Sequence, residues 1–360
     1  MKKKVIIYAD SLLPSGGRER VIANLIHAWK DRYDLTLLVK DSGESFYPLP
    51  ECIKIISLSC PLTLNLNNRV ARVVSVATNL FKSVKLLKHY LSSSTYDYIY
   101  TATPLNSFEV MCAMKEPNKK LVVSEHASID SFNTIYTWMK KVVYPKAYYV
   151  SVPNKMDTEI YKNEGCNAIY IPHLVTFKAI EKGKLEEKIF LNVGRLTLDK
   201  QQSKLISMWS KVPNKGEWKL LIVGDGEEKN HLEEQIESLN LKDSVTLLPS
   251  TKSINEYYKR ATCFLLTSRC EGFGMVLLEA MAFGVPCISF DCPSGPRDII
   301  LNNTNGFLID NNDEVGFTKA IMNIIDMKPE RLQLLGNGAF ATVQEWDNEY
   351  ILDKWDLIFR

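Results

Sequence analysis

Two series of short apolar runs, each run followed by an amphipathic stretch, constrain this chain more than any other feature. The first opens with VIIYAD, a PSGG turn, the helical run RERVIANLIHAWK and DLTLLVK, then continues through YDYIYTA, KLVVSEH, AYYVSV and NAIYIP. The second starts at KIFLNVG and repeats through WKLLIVG, SVTLLP, CFLLTS, PCISF and NGFLI. Short runs that are apolar throughout are buried on both faces, and their alternation with helical stretches is the pattern of a parallel sheet covered on both sides. A single core stops growing at about 250 to 300 residues, so a chain of 360 is expected to form two domains. The fold class expected is α/β, two doubly wound parallel sheets. Pro172 to Lys188, with its EKGKLEEK run, breaks the apolar rhythm and reads as the linker.

The composition, 46% hydrophobic and 24% charged, excludes disordered and low-complexity classes. The longest apolar stretches, VVSVA and MVLLEAMAFGV, fall short of the roughly 20 positions a membrane span needs. MKKKVIIYAD has a basic start but no adequate apolar region or cleavage site, so a cytoplasmic location is expected. The eight cysteines, at 52, 60, 112, 166, 263, 270, 287 and 292, show no CxxC pair and no clustered His. They read as reduced, small apolar residues, and no metal site is expected.

The charge is uneven. Residues 1–172 hold 22 Lys and Arg against 15 Asp and Glu, or +7, and the remainder holds 22 against 27, or −5. The basic first part contains LNNRVARVVSVATNLFKSVKLLKHYL, an amphipathic helix in which Arg69, Arg72, Lys82, Lys85, Lys88 and His89 accompany an apolar face. Such a helix can lie on an anionic membrane surface or can be an ordinary solvated surface helix; its composition fits both.

The richest stretch is CEGFGMVLLEAMAFGVP. Glu271 follows an apolar strand and precedes Gly272 and Gly274, after which MVLLEAMAF runs as a helix. This sets a carboxylate beside the free amides of a helix start, Gly272, Phe273, Gly274, Met275 and Val276, which suit a phosphate. Glu279 stands eight positions later in an otherwise apolar helix. Carboxylates repel phosphate, so the two fit a ligand that also offers hydroxyls, as a sugar nucleotide does. The plainer alternative is a helix-entry Glu and a Glu paired with some Lys.

Here the chain resembles a known family. EGFGMVLLEAMAFGVP is similar to the E-x7-E signature of the large bacterial family of retaining, nucleotide-sugar-dependent glycosyltransferases with the GT-B fold. PSGGRERV, SEH, VGRLTLDKQ and VGDGEE follow the family's order along nearly the whole chain. SFDCPSGPRDII and NGFLI extend the likeness to enzymes that build lipid-linked glycans, capsule and O-antigen.

The resemblance assigns roles residue by residue. Arg195 and Lys200, in the loop that begins at Gly194 after KIFLNVG, are expected to neutralise a leaving diphosphate without a metal. Glu271 is expected to hold the donor sugar's hydroxyls and Glu279 the ribose hydroxyls. Amides at Gly16 and Gly17 are expected to face a phosphate. Where the family more often has Ala, this chain has Arg18, which leaves that residue without an implied role. His126, closing KLVVSEH, is expected near the donor sugar, with Glu125 a structural or acceptor-side neighbour. Gly224 is expected near the nucleotide, with the backbone of Leu248, Pro249 and Ser250 at the base.

The implied division is an acceptor-binding domain over 1–172, a donor-binding domain over 173–342, and a final helix over 343–360 crossing back to the first domain. The implied reaction moves a hexose or N-acetylhexosamine, with retention, from a UDP-sugar to a hydroxyl of a glycan or undecaprenyl-diphosphate-linked acceptor. The nucleotide-sugar is then a substrate, no cofactor or nucleic acid is involved, and peripheral attachment to an anionic membrane surface is open. Two alternatives remain: a nucleotide-sugar 2-epimerase of the same fold, which E-x7-E with VGRLxxxK argues against, and a non-catalytic glycosyltransferase-like subunit, which would have lost Arg195, Lys200 or Glu271.

Overall fold

The structure is a computed structural model that describes residues 2–14, 16–61, 69–129, 134–175, 182–344 and 346–360, with the side chains of 69–73 also undescribed. The chain forms two compact units: Met1–Leu174 with Asn348–Arg360, and Val175–Asp347.

In the first unit the elements run β1 (Lys4–Ala9), α1 (Gly17–Trp29), β2 (Asp34–Val39), β3 (Lys54–Ser57), α2 (Arg69–Ser93), β4 (Tyr98–Thr101), α3 (Pro104–Ala113) and α4 (Pro117–Lys120). They continue with β5 (Leu121–Ser124), α5 (Thr134–Val143), β6 (Tyr149–Val152), α6 (Lys155–Asn163) and β7 (Ala168–Tyr170). The sheet order is β3-β2-β1-β4-β5-β6-β7, with every pairing parallel. The apolar runs of β1, β4 and β5 are buried along nearly their whole length.

The second unit repeats the plan with β8 (Ile189–Val193), α7 (Gln202–Ser210), β9 (Lys219–Val223), α8 (Lys229–Ser238), β10 (Val245–Leu248), α9 (Ile254–Arg260) and β11 (Cys263–Leu266). It closes with α10 (Met275–Ala282), β12 (Cys287–Asp291), β13 (Gly306–Asp310), α11 (Glu314–Ile325) and α12 (Pro329–Gln344). The sheet order is β10-β9-β8-β11-β12-β13, again all parallel. Both sheets reverse their strand order beside the first strand, and open sheets of this kind bind ligands outside the carboxyl ends of the strands at that switch point. The switch lies between β1 and β4 in one unit and between β8 and β11 in the other.

The last helix, α13 (Asn348–Ile358), belongs to the first unit. Trp355 and Phe359 pack edge-on against Trp29 of α1 at 5.0 and 5.3 Å. Arg32 pairs with Asp356 at 2.6 Å, and Tyr33 donates to the same carboxylate.

Three boundaries differ from the sequence reading. His173 and Leu174 are buried and belong to the first unit, whereas Gly183 donates to the Phe283 carbonyl at 2.7 Å and Leu185 lies in the second unit's core. The linker expected over 172–188 is therefore shorter at both ends; its part at 176–181 lies outside the described residues. The second unit extends to Asp347 rather than 342, because Val343 and Trp346 pack in its core. The expected helix at 66–91 is observed as α2, and the placement of 66–68 and of the Arg69 and Arg72 side chains lies outside the described residues.

All eight cysteines are free thiols, six of them buried, with Cys52 and Cys112 exposed. Among the described residues no helix is long and apolar enough to cross a membrane, and no cluster of His, Cys, Asp or Glu suits a metal.

Candidate functional site

In the second unit the switch point brings together loops far apart in the chain. Lys200 lies in the turn after β8 and Glu271 in the loop after β11, and these strands are neighbours. The Lys200 ammonium meets Glu271 Oε1 at 2.5 Å, and the Ser268 hydroxyl donates to the same oxygen at 2.6 Å. Both bonds fall on Oε1, so Oε2 carries none among the described residues. The Thr267 hydroxyl donates to the Lys200 carbonyl at 3.1 Å, which locks the two loops in register. The Arg195 side chain is exposed and forms no ion pair among the described residues, while its carbonyl accepts from Gln202 at 3.0 Å.

Beside this pair α10 begins. Gly274 is its N-cap at φ 91°, a left-handed conformation that glycine adopts without strain, and no side chain caps the helix. The first-turn amides, including those of Met275 and Val276, keep the partial positive charge of a helix start. The Phe273 ring packs in the core 5.7 Å from Trp346. Gly272 is buried in the same loop.

Glu279 is 4% exposed and accepts from the Tyr258 hydroxyl at 2.9 Å. This buried hydroxyl satisfies one of its oxygens. Gly224 is required by packing: a Cβ there would overlap the carbonyl oxygen of Gly194. The Leu248 carbonyl accepts from the Gly224 amide at 2.9 Å, and the Ser250 amide donates to Asp225 at 2.9 Å. These two groups are committed inside the unit and Pro249 has no amide hydrogen to give, so the backbone expected to meet a base there is reduced to the carbonyls of Pro249 and Ser250.

In the first unit His126 follows β5 at the sheet's carboxyl edge. Its Nε2 lies 3.2 Å from the Tyr100 hydroxyl, its ring stacks on His173 at 5.2 Å, and its buried Nδ1 has no hydrogen-bond partner among the described residues. Burial, with His173 and Arg18 nearby, pushes the His126 pKa well below its ordinary value, and burial pushes His173 down to about 3. Both rings are neutral near neutral pH. Unfolded imidazoles titrate near 6.5, so as the pH falls below that value the unfolded chain takes up protons that the folded unit refuses. Stability is fully present above about pH 7 and is lost on acidification by up to about 1.4 kcal/mol per pH unit for each histidine. Urea titrations of the wild type and His173→Asn should therefore show the variant's stability falling less steeply between about pH 6.5 and 4.5; parallel slopes would contradict the burial account.

The start of α1 differs from expectation. The Glu19 carboxylate folds back over Gly16, where a Cβ would overlap it, and pairs with Arg18. The carboxylate fills the space where a Gly16 side chain would stand, whereas a Cβ at Gly17 would meet open space. Arg18 gains a role that the sequence did not offer: it neutralises the buried Glu19.

Two buried networks went unread in the sequence. Lys40, after β2, sits 2.7 Å from Asp10 and 2.6 Å from Glu109 of α3, and Glu109 also accepts from Tyr8 at 2.9 Å and Ser83 at 2.6 Å. Burial alone would lower the Lys40 pKa, but the Asp10 and Glu109 carboxylates outweigh it and raise it. Glu125 accepts from Lys140 at 2.6 Å and Tyr161 at 2.9 Å on one oxygen, and from the backbone amides of His126 and Ala127 on the other. It therefore fixes the loop that carries His126. The available signal was weak: a lone Glu in an apolar helix and a Lys ending an apolar strand.

Two doubly wound parallel-sheet units in one chain are the GT-B architecture, and S. aureus TarM, in a complex that contains UDP, shares it with a TM-score of 0.81 at 16% identity over 100% of both chains. Residues 176–339 match the family of glycosyl transferases group 1. It is 28% identical to the amylovoran biosynthesis glycosyltransferase AmsD of Erwinia amylovora over 99% of each chain. It is also 25% identical, over 97% of this chain and 96% of the other, to an α-1,4-N-acetyl-D-galactosaminyltransferase of Campylobacter jejuni whose name gives an undecaprenol-diphosphate-linked GalNAc acceptor. Nothing among these relatives supports the epimerase alternative.

Proposed function

We propose that the protein is a retaining glycosyltransferase of bacterial surface-glycan assembly, moving a hexose or N-acetylhexosamine from a UDP-sugar to a hydroxyl of a lipid-linked or polysaccharide glycan. The observation that carries the reading is the Lys200–Glu271 pair beside the uncapped start of α10. An ammonium has three hydrogens, so Lys200 can keep Glu271 and still donate to a diphosphate. The open Oε2 of Glu271 accepts from the sugar's hydroxyls. Arg195 and the α10 amides supply further positive charge, and the reaction requires no metal because these groups do a cation's work. A silent subunit would not need this arrangement intact.

In the proposed reaction the acceptor oxygen bonds to the anomeric carbon on the face from which the diphosphate departs. The bond from that carbon to the diphosphate oxygen breaks, and the acceptor's proton passes to that oxygen. TarM's UDP and the Campylobacter relative's acceptor support the choice of donor and acceptor. A lipid-linked acceptor places the enzyme peripherally on the cytoplasmic leaflet.

Release of nucleoside diphosphate from UDP-, GDP- and ADP-sugars, followed by NMR of the anomeric centre, tests donor and stereochemistry; inversion or no release would reject the reading. Calorimetry separates the glutamates. Glu279→Gln should weaken UDP binding by about tenfold or more, as loss of a charged hydrogen bond does. Glu271→Gln should leave UDP affinity intact and impair sugar-nucleotide turnover. Equal UDP affinity in both variants would remove Glu279 from nucleotide binding.

A further inference from the structure

The buried charges of the first unit converge on one open oxygen. Lys40, Glu109, Tyr8, Ser83 and Asn106 are each 2% exposed or less, and Glu109 joins them. Both of its oxygens are used inside: Lys40 and Ser83 meet Oε1, Tyr8 and Asn106 meet Oε2. Asp10 differs. Lys40 Nζ at 2.7 Å and Asn106 Nδ2 at 2.9 Å both fall on its Oδ1, so Oδ2 carries no bond among the described residues. The Asp10 side chain is 26% exposed, and it is the one member of this cluster that reaches the surface.

The place is as telling as the geometry. Asp10 follows β1 and Asn106 lies in α3, which follows β4, so the bond between them spans the switch point of the first sheet at its carboxyl edge. Open sheets receive ligands there. Burial, and after it the charge of Asp10, push the Tyr136 hydroxyl's pKa up, so this ring of α5 lies beside the same carboxylate. Lys40 is one cation against the two carboxylates of Asp10 and Glu109, which leaves the cluster one net negative charge. A phosphate is repelled by such a group, whereas a hydroxyl donates to it.

Fold stability does not account for the cluster, because a buried ion pair seldom stabilises a protein more than apolar side chains of the same volume. What the cluster does is fix a carboxylate: Oδ1 is clamped from two sides and Oδ2 is left in one orientation. Glu271 is held in the same manner in the second unit, with Lys200 and Ser268 on one oxygen and the other open. Each unit thus presents a clamped carboxylate at its own switch point.

We propose that Asp10 Oδ2 accepts a hydrogen bond from a hydroxyl of the acceptor sugar, with Lys40 and Asn106 as the positioning residues that hold the carboxylate and Tyr136 beside the sugar ring. The acceptor is selected for a hydroxyl at one fixed position, and its anionic groups are kept away from this corner. The inference deepens the proposed function and rests on its glycan acceptor.

The test uses the full chain with UDP present and p-nitrophenyl α-glycosides of glucose, galactose and N-acetylgalactosamine, each with its monodeoxy analogues. Saturation-transfer NMR reads binding. The wild type should bind at least one glycoside, and Asp10→Asn should weaken that binding by about tenfold or more, as loss of a hydrogen bond to a charged group does. Asp10→Glu keeps the charge that balances Lys40 but moves the oxygens by a methylene, so it should also weaken binding, whereas a merely structural role would be restored by it. One monodeoxy glycoside should bind the wild type as poorly as its parent binds Asp10→Asn, and the two losses should not add. Lys40 keeps Glu109 as its counter-ion in Asp10→Asn, and Asp10→Glu carries the test should that variant melt early. Both variants should retain the wild-type UDP affinity in calorimetry. Wild-type protein that binds none of the glycosides, variants that bind like it, or full recovery in Asp10→Glu would overturn the proposal. So would a loss of UDP affinity, which would assign Asp10 to the donor. Asp10-dependent glycoside binding without nucleoside diphosphate release from any sugar donor would instead reject the proposed function and leave the carbohydrate site standing.

Discussion

Arg195→Ala and Lys200→Ala will each lower turnover at saturating donor by a factor on the order of 100 or more, because one preorganised donor to a leaving group's charge contributes about 3 kcal/mol to the transition state. The two variants should differ in a second respect. Arg195 is exposed and forms no ion pair among the described residues, so its removal disturbs nothing else. Lys200 holds Glu271 Oε1, and its loss leaves that carboxylate, largely buried, with only Ser268. Lys200→Ala should therefore also weaken sugar-nucleotide binding, since the freed carboxylate repels the diphosphate, whereas Arg195→Ala should act mainly on turnover. Initial rates over a range of donor concentrations separate the two effects. Unchanged rates in both variants would remove these residues from the reaction.

A second large effect belongs to the first unit. Lys40→Met should destabilise it by about 3 to 5 kcal/mol, as removal of one partner from a buried ion pair does. Lys40 is 2% exposed and Glu109 1% exposed, so the carboxylate left behind has no water to turn to. Adding Glu109→Gln should recover much of the loss, because the amide is uncharged, its oxygen still accepts from Tyr8 and its NH2 can donate to the Ser83 hydroxyl. Urea unfolding followed by circular dichroism reads this, with the two units allowed separate transitions. If the double variant were no more stable than Lys40→Met, the charge would not be the cause.

The strands of both sheets were legible because residues such as Val5 to Ala9 and Ile189 to Leu191 are apolar without alternation, which only burial on both faces explains. The limits of each unit were less so. A charged run such as EKGKLEEK reads as solvent-exposed linker, yet Leu185 within it is buried by the second unit's core. At the site, Lys200 and Glu271 were legible as loop residues at strand ends, but their pairing depends on β8 and β11 being neighbours, and strand order is not written in local pattern. The partner of Glu279 was invisible for the same reason: Tyr258 belongs to a different helix. Lys40, Asp10 and Glu109 come from three separate elements, each ordinary by itself.

The docking of α13 against Trp29 has a consequence for how the molecule is made. A ribosome that has completed residue 174 must add the 173 residues Val175–Asp347 before the helix that covers Trp29 appears. At about 5 to 20 residues per second that interval lasts roughly 10 to 35 s. Throughout it, the aromatic face formed by Trp29 and Tyr33 stays open to water and to chaperones, while the inserted second unit has everything its core needs. The unit begun first is thus the one finished last, and a nonsense codon at residue 348 would release a complete second unit joined to an uncovered first.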